Sequence, residues 1–232
     1  MLENTFIRIL LGAIVLAAGP HCLVLAQSAA TYDPAQLPVF HGTVLQYDLS
    51  SRGDVNGVIL QDGMEVHTST HRSTEIAAAV RPGDPVTIRG LKARELSLIR
   101  ARSLTNDSTS ITVVDSGDES HGDDRDGREG RGHRRGHRRG PQGGGALVDV
   151  EGKIKMQLHD TDGDLDGVLL ADGTIIHIST QAVTAIATQL ANGRTLFVRG
   201  EVNSNDLGKV VNAKAIGTSA NDLTQLPDRR ER

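Results

Sequence analysis

Two histidines are best placed to do chemistry, because each is followed by the same pair of hydroxyls. His67 precedes Ser69 and Thr70, and His177 precedes Ser179 and Thr180. An imidazole beside hydroxyls at the end of a strand is a weak ligand face for an anion or a metal, or a set of partners for a helix cap. The cap is the expected use. One imidazole per site falls short of the three or four ligands that zinc takes, and His71 has Gln181 at the matching position. A second set is acidic: Asp160, Asp162, Asp164 and Asp166, followed by Gly167, follow the first half of a calcium loop. The twelfth position counted from Asp162 is Gly173, so the bidentate carboxylate is missing, and the other copy of the motif has Arg52 where Asp162 stands. Turn formation explains the pattern without a metal, so no cofactor is expected, with calcium the single candidate. A third set, Arg131, Arg134, Arg135, Arg138 and Arg139, repeats Gly-His-Arg-Arg and is suited to non-specific polyanion contact with a steep salt dependence. His133 and His137, four residues apart, would share a metal only on a helix that the intervening glycines oppose.

The elements that carry these groups come as a repeat. Gly53 to Thr70 recurs as Gly163 to Thr180 at a constant offset of 110 residues, and a fixed period is the first thing to establish about a fold. Each copy reads as strand, strand, strand, helix, strand, strand. Phe40 to Tyr47 opens copy one, with Gly42 (Gly152 in copy two) marking a bend. Asn56-Gly57 is a turn signal, and Asp62-Gly63 predicts a type I′ hairpin between Val58-Ile59-Leu60 and Met64 to His67. Ser69 or Thr70 is expected to cap a helix holding Ile76, Ala77 and Val80 (Ala185, Ile186 and Leu190 in copy two), ended by Gly83 or Gly193. Val86 to Gly90 and Leu98 to Leu104 alternate as strands, matched by Leu196 to Gly200 and Val210 to Ile216. The offset drifts to 112 at Ala101 and Ala213, which places two extra residues before the last strand. This order is that of an OB-fold, a five-stranded Greek-key barrel with a helix between strands three and four. An SH3-like barrel, the main rival, would lack the helix. The fold class is therefore all-β with one short helix per repeat: two tandem five-stranded OB-like barrels joined by a disordered linker.

The chain resembles bacterial OB-fold-like domains of exported proteins without an assigned function. Gly42-Thr43-Val44, Gly53 to Gly57, Asp62 to His67 and Gly83 to Gly90 carry the likeness, and copy two departs from it at Arg194 and Ile176. The resemblance implies the barrel and implies no reaction.

The remaining segments set the domain plan. Arg8 followed by the apolar run Ile9 to Ala18 reads as an export signal, with cleavage expected after Ala26, which removes Cys22 and any membrane span; the alternative is an uncleaved signal anchor, since apolar residues continue to Leu25. A mature chain without cysteine must hold its fold by packing alone. The plan is a signal peptide (1–26), a linker (27–38), repeat 1 (39–106), a charged Gly/Arg/His connector (107–146), repeat 2 (147–218) and a polar tail (219–232). The connector is acidic from Asp115 to Asp126 and basic afterwards, with too few apolar side chains to offset its ordering entropy. Aromatic residues make up only 2% of the chain, which leaves few stacking platforms for single-stranded nucleic acid. No Gly-x-Ser-x-Gly, no phosphate loop and no mature cysteine is present. The expected protein is periplasmic or secreted and is not an enzyme. It is a binding or scaffold protein whose repeats offer paired weak sites on a flexible tether to an unknown envelope or extracellular ligand. Nucleic-acid or other polyanion binding through the arginine run, and a calcium- or metal-responsive loop in repeat 2, are the alternatives.

Overall fold

The computed structural model describes residues 36–115 and 146–227. The expected signal peptide, residues 27–35 of the 27–38 linker, the arginine run and the last residues of the tail lie outside them.

Repeat 1 is built from β1 (Val39–Leu49), β2 (Val55–Leu60), β3 (Glu65–His67), α1 (Ser73–Ala79), β4 (Pro85–Lys92) and β5 (Leu98–Asn106), with a short sixth strand β6 (Thr112–Val114) on β5. The pairs β1–β2, β2–β3, β1–β4 and β4–β5 are antiparallel and β3–β5 is parallel, so the sheet closes in the order 1-2-3-5-4. Repeat 2 does the same with β7 (Leu147–His159), β8 (Leu165–Leu170), β9 (Ile175–His177), α2 (Thr180–Ile186), β10 (Thr195–Asn205) and β11 (Gly208–Gly217), and β12 (Leu223–Gln225) is its sixth strand. Both repeats are closed five-stranded barrels of OB topology. The helix between the third and fourth strands excludes the SH3-like alternative.

β1 shows why Gly42 sits where it does. Residues 39–43 pair with β4 and residues 44–49 pair with β2, so one bent strand serves both sides of the barrel, with a register shift between Val44 and Gln46. The interiors match position by position: Val44 with Ile154, Val58 with Val168, Leu60 with Leu170, Val66 with Ile176 and Ile76 with Ile186 are all buried.

Several local expectations need correction. Gly63 has positive φ but Asp62 does not, so the hairpin is not type I′. The Gly63 amide bonds to the Leu60 carbonyl and the Leu60 amide to the Met64 carbonyl. That is a three-residue loop, a type I turn closed by a left-handed glycine. Asn56-Gly57 is not a turn but part of β2. A Cβ on Gly57 would lie 1.9 Å from the Val66 carbonyl oxygen, so the glycine there serves close strand approach. The helices do not run to the expected glycines: α1 stops before Val80, which is extended, and Gly83 belongs to the turn into β4. Residues 107–115 and 219–227, expected as connector and tail, carry β6 and β12 and complete the repeats. The two extra residues of repeat 2 lie in a longer β10–β11 hairpin, in which β10 runs to Asn205.

The barrels, whose contact the sequence leaves open, are packed together. Leu158, Leu169, Ile175 and Val210 of repeat 2 belong to the same buried apolar cluster as Leu49 and Ile59 of repeat 1. The contact is reciprocal. Arg100 Nη2 donates to the Thr161 carbonyl at 2.7 Å, and at the matching positions Asn212 Nδ2 donates to the Ser51 carbonyl at 2.9 Å. Such self-matching pairs define an isologous, two-fold arrangement, here formed by two repeats of one chain.

Candidate functional site

β3 and β9 position the site. Their side chains alternate between the two faces of the strand. Val66 points into its own barrel, so Glu65 and His67 point out of it, and Ile175 and His177 do likewise around Ile176. These outward residues are nonetheless buried, Glu65 at 2% and His67 at 4% exposure, because the other barrel covers them. The paired repeats thus enclose three histidines and three carboxylates: His67, His159 and His177 with Asp48, Glu65 and Asp166.

The strongest link crosses the seam. A ring nitrogen of His159 lies 2.8 Å from Glu65 Oε1, and the His159 amide donates to Glu65 Oε2 at 2.8 Å. His67 Nε2 stands 3.7 Å from both Glu65 Oε2 and Asp48 Oδ2. It feels both charges but is at hydrogen-bond length from neither. His177 Nε2 lies 2.7 Å from the Leu49 carbonyl of the other repeat, and its Nδ1 is 3.6 Å from Asp166 Oδ2. Burial pushes the Asp48 carboxyl up to about 6, only partly opposed by His67 and His177. Burial acts to raise Glu65 too, but the bonds from His159 outweigh it and hold this carboxyl below the usual range. The Glu65 carboxylate raises His159. Burial acts to lower His67 and His177, yet the nearby carboxylates outweigh it and leave both raised.

A cleft of about 1120 Å³ runs along this seam. Repeat 1 lines it with Asp48, Asn56, His67, residues 68–72, residues 100–102 and Asp115, and repeat 2 with residues 159–162, Asp166 and His177. Asn56 Oδ1, His67 Nε2 and His177 Nδ1 are buried at the cleft without a hydrogen-bond partner.

Of the sequence-predicted ligand face, the cleft gathers His67, Ser69, Thr70 and His177 but not Ser179 or Thr180. Ser69 caps the 3-10 turn that leads into α1, accepting from the His71 amide at 3.4 Å, and its own amide donates to Asp115 Oδ2 at 2.7 Å. Ser179 instead donates to the Pro227 carbonyl at 3.2 Å. Thr180 is exposed at the start of α2. In the cleft the Thr68 hydroxyl donates to the Asn56 carbonyl, whereas the hydroxyl–imidazole pair of His41 Nδ1 and Thr87 Oγ1, 3.0 Å apart, is exposed on β1 and β4 and lies outside the cleft lining. The four aspartates of the β7–β8 turn do not converge. Asp160 Oδ1 accepts from the amides of Asp162 and Asp164, Asp162 lies 3.6 Å from Arg100, and Asp166 faces His177. Ser50 accepts the same two amides in repeat 1, so the loop's shape requires no ion. Among the described residues no group of three His, Cys, Asp or Glu is arranged to hold a metal. Arg131, Arg134, Arg135, Arg138 and Arg139 lie outside the described residues. Sequence reasoning missed Asp48, Glu65 and His159, because their roles exist only once the second barrel is in place.

Fold and seam together define a tandem OB-barrel protein with one shared interior polar cluster. No family model and no curated protein matches the chain. Among solved structures the chain is similar to the single-stranded DNA-binding protein of Thermus aquaticus, both as a deletion mutant and as wild type. The identity is 12% in each case, over 83% of this chain and 96% and 95% of theirs. The TM-score is 0.22 in both comparisons, a likeness that carries no argument about this chain. The assignment to OB topology rests on the strand order itself. No helix among the described residues is long and apolar enough to cross a membrane.

Proposed function

We propose that this is an exported, non-catalytic binding protein whose two barrels offer one shared cleft to a small polar ligand. The observation that carries it is the set of unsatisfied polar atoms at the seam: an amide oxygen of Asn56 and ring nitrogens of His67 and His177 line the same cleft. Buried polar groups are almost always hydrogen-bonded, and a ligand with mixed donors and acceptors would satisfy these. The hydroxyls of the 68–70 segment and the Arg100 and Arg102 side chains border the opening. Periplasmic or extracellular location is part of this proposal and rests on the export signal read in residues 1–26; mass spectrometry of the secreted chain should find Gln27 at its start.

The test is a screen of small polar metabolites from the envelope fraction against the full mature chain, followed by NMR. Binding should shift the His67 and His177 ring resonances and the amides of residues 68–72 and 159–162. Shifts confined to residues 125–140, lost steeply with added salt, would instead establish the polyanion alternative through the arginine run. Calcium in the same screen should leave the β7–β8 turn amides unmoved.

A further inference from the structure

We infer that the seam between the barrels is a keyed surface that accepts only the unlike repeat, from the same chain or from a second copy of it, and rejects a repeat of its own kind. Two positions form the key. Across the two-fold relation Leu49 corresponds to His159 and Glu65 corresponds to Ile175. In the observed pairing Leu49 and Ile175 share one apolar cluster, while His159 bonds Glu65. One half of the symmetric contact is therefore hydrocarbon against hydrocarbon, and the other half is an imidazole on a carboxylate.

A repeat paired with its own kind cannot keep either half. Two copies of repeat 1 would set Leu49 against Glu65 twice, burying two carboxylates without a partner. Two copies of repeat 2 would set His159 against Ile175 twice. Removing one member of a buried pair is strongly destabilising, because it leaves an uncompensated charge.

The whole polar cluster follows the same rule. The unlike pair encloses Asp48, Glu65 and Asp166 with His67, His159 and His177, acid matched to base. Two copies of repeat 1 would bring together Asp48, Glu65 and His67 twice over, an excess of acid. Two copies of repeat 2 would bring together Asp166, His159 and His177 twice over, an excess of base. Asn56, which stands where repeat 2 has Asp166, and Leu158, which stands where repeat 1 has Asp48, help set these imbalances. Specificity of this kind comes from what the wrong partner leaves unpaired. The backbone-directed contacts of the seam, Arg100 to Thr161 and Asn212 to Ser51, accept on a carbonyl that any repeat offers, so they add affinity without choosing a partner.

The test uses the full chain with a protease site placed between residues 116 and 145. Two preparations are made, one carrying an affinity tag before repeat 1. Both are cut after folding, mixed in urea, refolded together and captured on the tag. The expected catch is tagged repeat 1 with repeat 2 in equal amounts and no untagged repeat 1. Untagged repeat 1 in comparable amount, or no complex between the repeats at all, overturns the inference. The double variant Glu65→Ile with His159→Leu leaves each like pair balanced, with Asp48 against His67 or Asp166 against His177. In that variant untagged repeat 1 should now be captured. If the variant refolds and stays as exclusive as the wild type, these two residues are not the key.

Discussion

Asp48 is a buried acid that the fold tolerates at a cost, and Asp48→Asn measures that cost. Its side chain is almost fully covered, and among the described residues no hydrogen bond to its carboxyl oxygens is found; His67 Nε2 stands 3.7 Å away. Burial moves the carboxyl from 3.8 to about 6. For an acid whose folded value is raised, the unfolded chain ionises first as pH rises. The Asp48 contribution to stability is therefore whole below about pH 4, falls between about pH 4 and 6, and is level above. At 1.36 kcal/mol per pH unit the gap amounts to about 3 kcal/mol. Asn has nearly the same shape and never ionises, so the variant escapes this loss. Urea unfolding at a series of pH values should give equal stabilities at pH 4 and a variant more stable by up to about 3 kcal/mol above pH 7. At roughly 2–4 °C per kcal/mol for a unit of this size, that is a rise of about 6–12 °C in Tm near neutrality. A variant less stable than wild type at pH 7.5 but not at pH 4 would refute the reasoning, since it would mean that ionised Asp48 is held favourably by His67 and His177.

Glu65→Gln should lower the NMR titration midpoint of His159 and reduce stability by about 1–3 kcal/mol. The lowered Glu65 stabilises above its unfolded value and the raised His159 stabilises below its own, so the loss should be greatest between about pH 4.5 and 6.5 and shrink at alkaline pH. Gly57→Ala should cost more than about 3 kcal/mol in urea unfolding, because its Cβ would meet backbone at 1.9 Å. Gly63→Ala, whose Cβ would meet nothing within 4 Å, should cost only the roughly 1–2 kcal/mol of a left-handed residue. Tyr47→Phe removes the hydroxyl that donates to the Val80 carbonyl at 2.6 Å and should cost about 1–2 kcal/mol, measured the same way.

The barrels were legible because their determinants are local and occur twice. The bend at Gly42 and Gly152, the Asp-Gly hairpins and the helix between the third and fourth strands are written into short stretches with a fixed period. The turn type was not legible, because Asp62-Gly63 suits both a two-residue loop and the three-residue loop that forms, and the choice depends on strand register. The seam left a trace that local patterning passes over. Val58-Ile59-Leu60, Val168-Leu169-Leu170 and Val210-Val211 are continuous apolar runs, whereas a strand with one wet face alternates. The outward members Ile59, Leu169 and Val210 are buried by the other barrel. The polar cluster left no such trace, since nothing about Glu65 or His159 in isolation says that they meet across 94 residues of chain.

The sixth strands bear on how this protein is handled in pieces. β6 leads to Asp115, which holds the Ser69 amide, and β12 leads to Pro227, which receives the Ser179 hydroxyl at the corresponding place. A fragment trimmed to five strands, ending at Asn106 or Thr218, would look complete by the usual size of an OB barrel. It would leave an open edge on its last strand and an untethered helix entrance, and any weakness in such a fragment would report the cut and not the domain.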